Sequence, residues 1–152
     1  MFQMHRLLVA GAVVAGSLWL APSLASATTG GCLIPSAAAS QYMSVTGSNI
    51  VNNLSSDLRI CHNQCEMLRQ GCARVADTAM KCVVASAKAD ENSAIRECNG
   101  LSGSSKSSCK DSAKGNLKSI FQFVRSDKSN NALPFCESSF QSCLSQCGVS
   151  ED

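Results

Sequence analysis

The chain has 152 residues, ten cysteines and a formal net charge of +2, a size that fits one domain. A charge so near neutral argues against general nucleic-acid binding, which needs a concentrated basic footprint. An even and large number of cysteines in a chain this short points to a disulfide framework made in an oxidising compartment.

Residues 1–27 read as a cleaved secretory signal. His5 and Arg6 supply a positive start, Leu7 to Leu20 an apolar stretch, and Ala25-Ser26-Ala27 the small residues at a cleavage site. An uncleaved anchor fits less well, because about 20 continuous apolar residues are needed to span a bilayer and Pro22 and Ser23 interrupt the run. Lipidation at Cys32 also fits less well, since the apolar stretch ends far upstream and no Leu stands three residues before it. The expected location is secreted or periplasmic. Trp19, the only Trp, leaves with the signal, so the mature core rests on aliphatic side chains, Phe and cystine, and the crosslinks compensate for its thinness.

Residues 28–49 are rich in Ala, Ser, Thr and Gly, contain Pro35 and lack periodicity. They read as an extended arm with at most one short helical turn. The stapled helical domain is expected over 50–148, with 149–152 as a tail. From Val51, the residues Leu54, Leu58, Cys61, Cys65, Leu68, Cys72, Val75, Ala79 and Cys82 recur at steps of three and four, the pattern of a long amphipathic helix. It is expected from about Asn49 to Ala89, or from an N-cap within Ser55-Ser56-Asp57; Gly71 is its one weak helix former.

A short helical piece is expected from Asp90 to Glu97, stopped by Gly100, followed by a Gly/Ser loop over 99–107. Ser108, with Asp111 three residues on, resembles a capping box that opens a helix to about Arg125 with an apolar face of Ala113, Leu117, Ile120, Phe121 and Val124. The stretch 127–133 should break that helix. Pro134 suits the first turn of a last one, carrying Cys136, Phe140, Cys143 and Cys147 on one side and ending at Gly148.

Two cysteine triplets are mirror images. Cys61, Cys65 and Cys72 are spaced four then seven, whereas Cys136, Cys143 and Cys147 are spaced seven then four. Such steps return a side chain to one face of a helix, so two antiparallel helices would pair Cys61 with Cys147, Cys65 with Cys143 and Cys72 with Cys136. The other four allow two solutions: Cys98 with Cys109 and Cys32 with Cys82, which we favour, or Cys82 with Cys109 and Cys32 with Cys98. The expected fold is all-α, a disulfide-stapled antiparallel helical hairpin with one long helix and a broken return arm.

No residue pattern calls for a cofactor, a metal or a catalytic centre. Cys61-His62-Asn63-Gln64-Cys65 has zinc-compatible ligands, but each mirrored cysteine has a disulfide partner and residue 62 points off the stripe. Redox catalysis wants Cys-x-x-Cys near a helix start, and the chain has none. Ser107-Ser108-Cys109-Lys110 matches a weak four-residue pattern, and no nucleophile elbow or zinc-protease helix occurs. A calcium loop begun by Asp127 would place Ser138 where a bidentate Glu is required. Asn53-Leu54-Ser55 is a chance sequon. We therefore expect no enzyme.

The remaining candidates are surface features. Lys110, Lys114 and Lys118 step by four, and Arg74, Lys81 and Lys88 step by seven, forming basic ridges or merely solvated helix faces. Phe123 lies about 100° off the Leu117/Ile120/Val124 stripe and is the most exposed apolar candidate. The pairs Cys61/Cys65 and Cys143/Cys147 resemble the twin Cys-x-x-x-Cys of small mitochondrial intermembrane-space chaperones, with a longer intervening stretch and a secretory signal in front. The stapled termini and the Cys98/Cys109 spacing are similar to saposin-like domains, with the Cys72/Cys136 rung and the long first helix as departures. The sequence thus leads to an interaction or structural protein with a protein partner, an accessory part of an envelope or secretion assembly. The alternative is a saposin-like module using Phe121, Phe123 and the lysines at a lipid or membrane surface. Oligomeric state stays open.

Overall fold

The computed structural model describes residues 28–29 and 31–148; the signal expected over 1–27 and the tail expected over 149–152 lie outside the described residues. A minimal antiparallel pair, β1 (Thr28–Thr29) and β2 (Cys32–Leu33), leads into α1 (Pro35–Tyr42). A π-helical turn (Met43–Gly47) joins α1 to the short α2 (Ser48–Val51). The long α3 (Leu58–Cys98) runs out, α4 (Gly103–Asp127) returns, and a second π-helical turn (Lys128–Ala132) passes into α5 (Leu133–Leu144).

Asp57 starts α3: its Oδ1 accepts from the backbone N–H of Ile60 at 3.0 Å, satisfying one of the donors every helix start leaves open. The start is therefore at the serine-rich cap rather than at Asn49. Nor does the helix break near Asp90. Its 41 residues continue to Cys98, about 60 Å at 1.5 Å per residue. The apolar stripe thins around 88–93, which suggested a break, but the segment holds no Gly or Pro, and Lys88, Ala89 and Glu91 favour helix.

At the hairpin tip the loop is shorter than its composition implies. Residue 102 is extended and α4 starts at Gly103, five residues before the expected capping box. Ser108 and Asp111 thus lie inside the helix. The Cys98–Cys109 disulfide, with a Cα separation of 5.7 Å, fastens the poor helix formers of the first turns of α4 to the end of α3.

Residues 28–49 differ most from expectation. Rather than an extended arm they form α1, a π-helical turn and the first half of α2. Pro35 occupies the first turn, where its missing N–H costs nothing, and Ala38 and Ala39 are buried. Small side chains let α1 approach α3 and α5 closely, and eight residues are too few for periodicity to register. The return arm is divided where expected, but by a π-helical turn rather than a loop. Pro134 cannot donate to the ladder, and the wider turn before it is where the helix adjusts.

Asp127 ties these pieces together. It is buried, its Oδ2 accepts from the Ser36 backbone N–H at 2.8 Å, and its Oδ1 accepts from Asn131 Nδ2 at 2.8 Å. The residue that mimicked a calcium ligand is a remote cap for α1. Replacing Asp127 with Ala should cost about 1 to 3 kcal/mol by orphaning that N–H, with Asp127→Asn falling between. Urea unfolding measures both.

The core is a narrow seam. Cys65, Leu68 and Cys143 form its lower part with Tyr42, Ile50, Val51 and Phe140 packed against them. Ala39, Cys72, Ala76, Ala132 and Cys136 form the middle, and Cys32, Val83 and Val124 the upper part. Leu58, on the expected stripe, is 54% exposed, because it sits at the first residue of α3.

Disulfides replace missing bulk. Cys61–Cys147, Cys65–Cys143 and Cys72–Cys136 join the helices at Cα separations of 5.7, 5.6 and 5.7 Å, and Cys32–Cys82 anchors β2 at 5.8 Å. No cysteine is free. Among the described residues no helix is long and apolar enough to cross a membrane.

Candidate functional site

Two places in the molecule invite a chemical reading. The first is the lower end of the ladder, where the sulfurs of Cys61, Cys65 and Cys147 all lie within 4.8 Å of one another. Neighbouring rungs explain the cluster: Cys65 Sγ is 3.8 Å from Cys147 Sγ, yet each belongs to a different disulfide. Bonded sulfurs are poor ligands, since metals take thiolates. His62 is exposed beside them. Next to the ladder, Arg69 donates to Glu66 at 2.9 and 2.7 Å, reaches Glu137 at 3.6 Å and stacks over Phe140 at 5.2 Å. Hydrogen bonds from Arg69, then from Gln70, hold the Glu66 carboxyl below its ordinary range. Exposed pairs of this kind contribute little to stability.

The second place is the flank of the α3–α4 pair. The buried stripe of α4 passes through Ala113, Val124 and Asp127. Phe121 and Phe123 leave it on opposite sides, about 160° apart at 100° per residue. Phe123 is 55% exposed, as its position predicts, and Phe121 is 42% exposed although the sequence pattern assigns it to the core. Lys118 and Lys114 precede Phe121 by three and seven residues and so share its side of the helix, whereas Phe123 stands away from them. Lys110 is half-buried toward the tip.

Opposite Phe121, α3 presents Met80, Val84 and Ala85 beside Lys81 and Lys88, and these six residues line an open groove of about 360 Å³. The structure therefore joins Lys81 and Lys88 to Phe121. It leaves Arg74 apart, lower on α3, where its Nε donates to the Gln70 carbonyl at 3.3 Å. The seven-residue column of Arg74, Lys81 and Lys88 extends downward through Met67 and Ile60, which are 58% and 45% exposed.

Met80, Val84 and Ala85 are the members sequence reasoning missed, whereas Phe121 was placed both on the core face and, in the saposin-like alternative, at a surface. The detectable signal is that Met80 and Val84 are four apart on α3, one step off the core stripe, so they form the edge of a second apolar strip. A different hollow, between α2 and α5, is lined by Ser138, Ser139 and Ser142 and carries no charge.

Fold and crosslinks together define an all-α, disulfide-stapled helical hairpin. No protein-family model, no curated protein and no solved structure matches the chain.

Proposed function

We propose that this chain is a non-catalytic interaction or structural protein of the periplasm or extracellular space, serving as an accessory part of a cell-envelope or secretion assembly. The observation that carries the reading is a rod about 60 Å long, fixed by five disulfides, that holds Met67, Phe121 and Phe123 out in solvent. Apolar side chains on a rigid frame are suited to capture by surface contact. Photo-crosslinking from positions 67, 121 and 123 in the native compartment tests it. A discrete protein adduct supports the proposal, and labelling confined to lipid or water at all three overturns it.

Phe123→Ser should leave stability within about 0.5 kcal/mol of wild type, as expected for an exposed site, while weakening partner capture. A large loss of stability would instead make Phe123 part of the packing. The saposin-like alternative draws on the lysines that border Phe121, and liposome flotation of the oxidised protein distinguishes it.

A further inference from the structure

The two halves of the hairpin are not equally covered. Around the ladder, α1 and α2 pack on α3 and α5, so the lower half has a third helical layer. Above it, among the described residues, only α4 lies along α3, and the β1–β2 arm reaches one side through Cys32–Cys82. The other side is the open groove of Met80, Val84 and Phe121.

We propose that this groove docks one amphipathic helix of a partner protein, with its apolar stripe edged by Asp and Glu. The inference rests on the interaction-protein reading and names the partner chemistry. Two antiparallel helices leave between them a concave trough into which a third helix sets its ridge of side chains. Met80 lines that trough, and methionine adapts to varied apolar partners.

The charges select the edges. Lys81 and Lys88 form one rim, and Lys114 and Lys118 lie on the α4 side. None of these four forms an ion pair among the described residues, whereas the nearby Asp77 is taken by Lys128. Asp111, one turn before Lys114 on α4, and Glu91, one turn beyond Lys88 on α3, are the carboxylates beside these lysines in helical register, and four lysines against two carboxylates leave the rims net positive. Lys81 and Lys88 are two helical turns apart, about 10.5 Å, the spacing of acidic residues one heptad apart on an opposing helix. A flat anionic membrane would require the apolar side chains to protrude beyond the lysines, but here Met80 and Val84 are half-buried while Lys81 and Lys88 are exposed.

The test uses the oxidised full-length domain and a displayed library of helices with a fixed Leu stripe and randomised flanks. Selection should enrich Asp and Glu beside the stripe. A synthetic peptide of the winning sequence should bind wild type about tenfold or more tightly than Lys81→Glu/Lys88→Glu or Phe121→Ser, and should weaken as salt screens the rims. Circular dichroism first establishes that both variants fold. Winners without acidic flanks, or equal binding by the variants, overturn the assignment. So does lysine-dependent flotation with phosphatidylglycerol vesicles when no helix is selected. If photo-crosslinks from position 67 persist in the Lys81→Glu/Lys88→Glu protein, the interaction reading stands even where the groove assignment fails.

Discussion

Full reduction should unfold this protein at temperatures where the oxidised form is intact. Closing the loop between Cys61 and Cys147, 86 residues apart in sequence, is worth about 4 to 5 kcal/mol in the chain-entropy account, against a total of about 5 to 15 kcal/mol for a typical domain. The largest fully buried side chains are only Leu68, Val83 and Val124, so packing has little with which to replace that sum. Rungs do not add fully. With Cys65–Cys143 intact, removing Cys72 and Cys136 together releases only the short segments between neighbouring rungs, a loss of about 3 kcal/mol. Thermal unfolding by circular dichroism, with and without reductant, measures both effects. An unchanged transition on full reduction would show that the seam holds by packing alone.

Gly71→Ala should destabilise the protein although Ala is the better helix former. A Cβ at 71 would fall 2.6 Å from Tyr42 Cζ and closer still to its Oη, so the ring of Tyr42 must leave its seat between α1 and α3. Overpacking of this kind costs about 1 to 3 kcal/mol, partly offset by the roughly 1 kcal/mol that Ala gains over Gly in a helix, which leaves a net loss of up to about 2 kcal/mol. Tyr42→Leu should relieve it, making the double variant more stable than the sum of its parts by about 1 kcal/mol or more. Urea unfolding of the four proteins in the cycle decides. Additive losses would mean that Tyr42 is not the obstacle.

Gly71 also illustrates what the sequence could and could not say. It stood out as a weak residue in a strong helix, but its reason lies in a tyrosine on another element. The mirrored cysteines were legible because spacings of four and seven carry their own geometry, and two antiparallel stripes with that symmetry have one natural register. The helical character of 35–51 was not legible, since its support comes from across the chain: Asp127 is 91 positions from the Ser36 N–H it accepts. The exposed position of Phe123 followed from its angle on the helix. That of Phe121 did not, because it falls at the margin of the stripe and only the lack of a covering third layer leaves it in solvent.

The nesting of the disulfides bears on how the chain matures in time. In a chain that enters its compartment N-terminus first, Cys61, Cys65 and Cys72 all arrive before any of their partners. Cys32 meets its partner, Cys82, only after those three have arrived, whereas Cys98 meets Cys109 after 11 residues, the cheapest closure of the five. Oxidation that outpaces synthesis would join the early thiols to one another, and such links can be undone only by thiolate exchange. Under those conditions the native pairing would require isomerisation of the early disulfides as well as their formation.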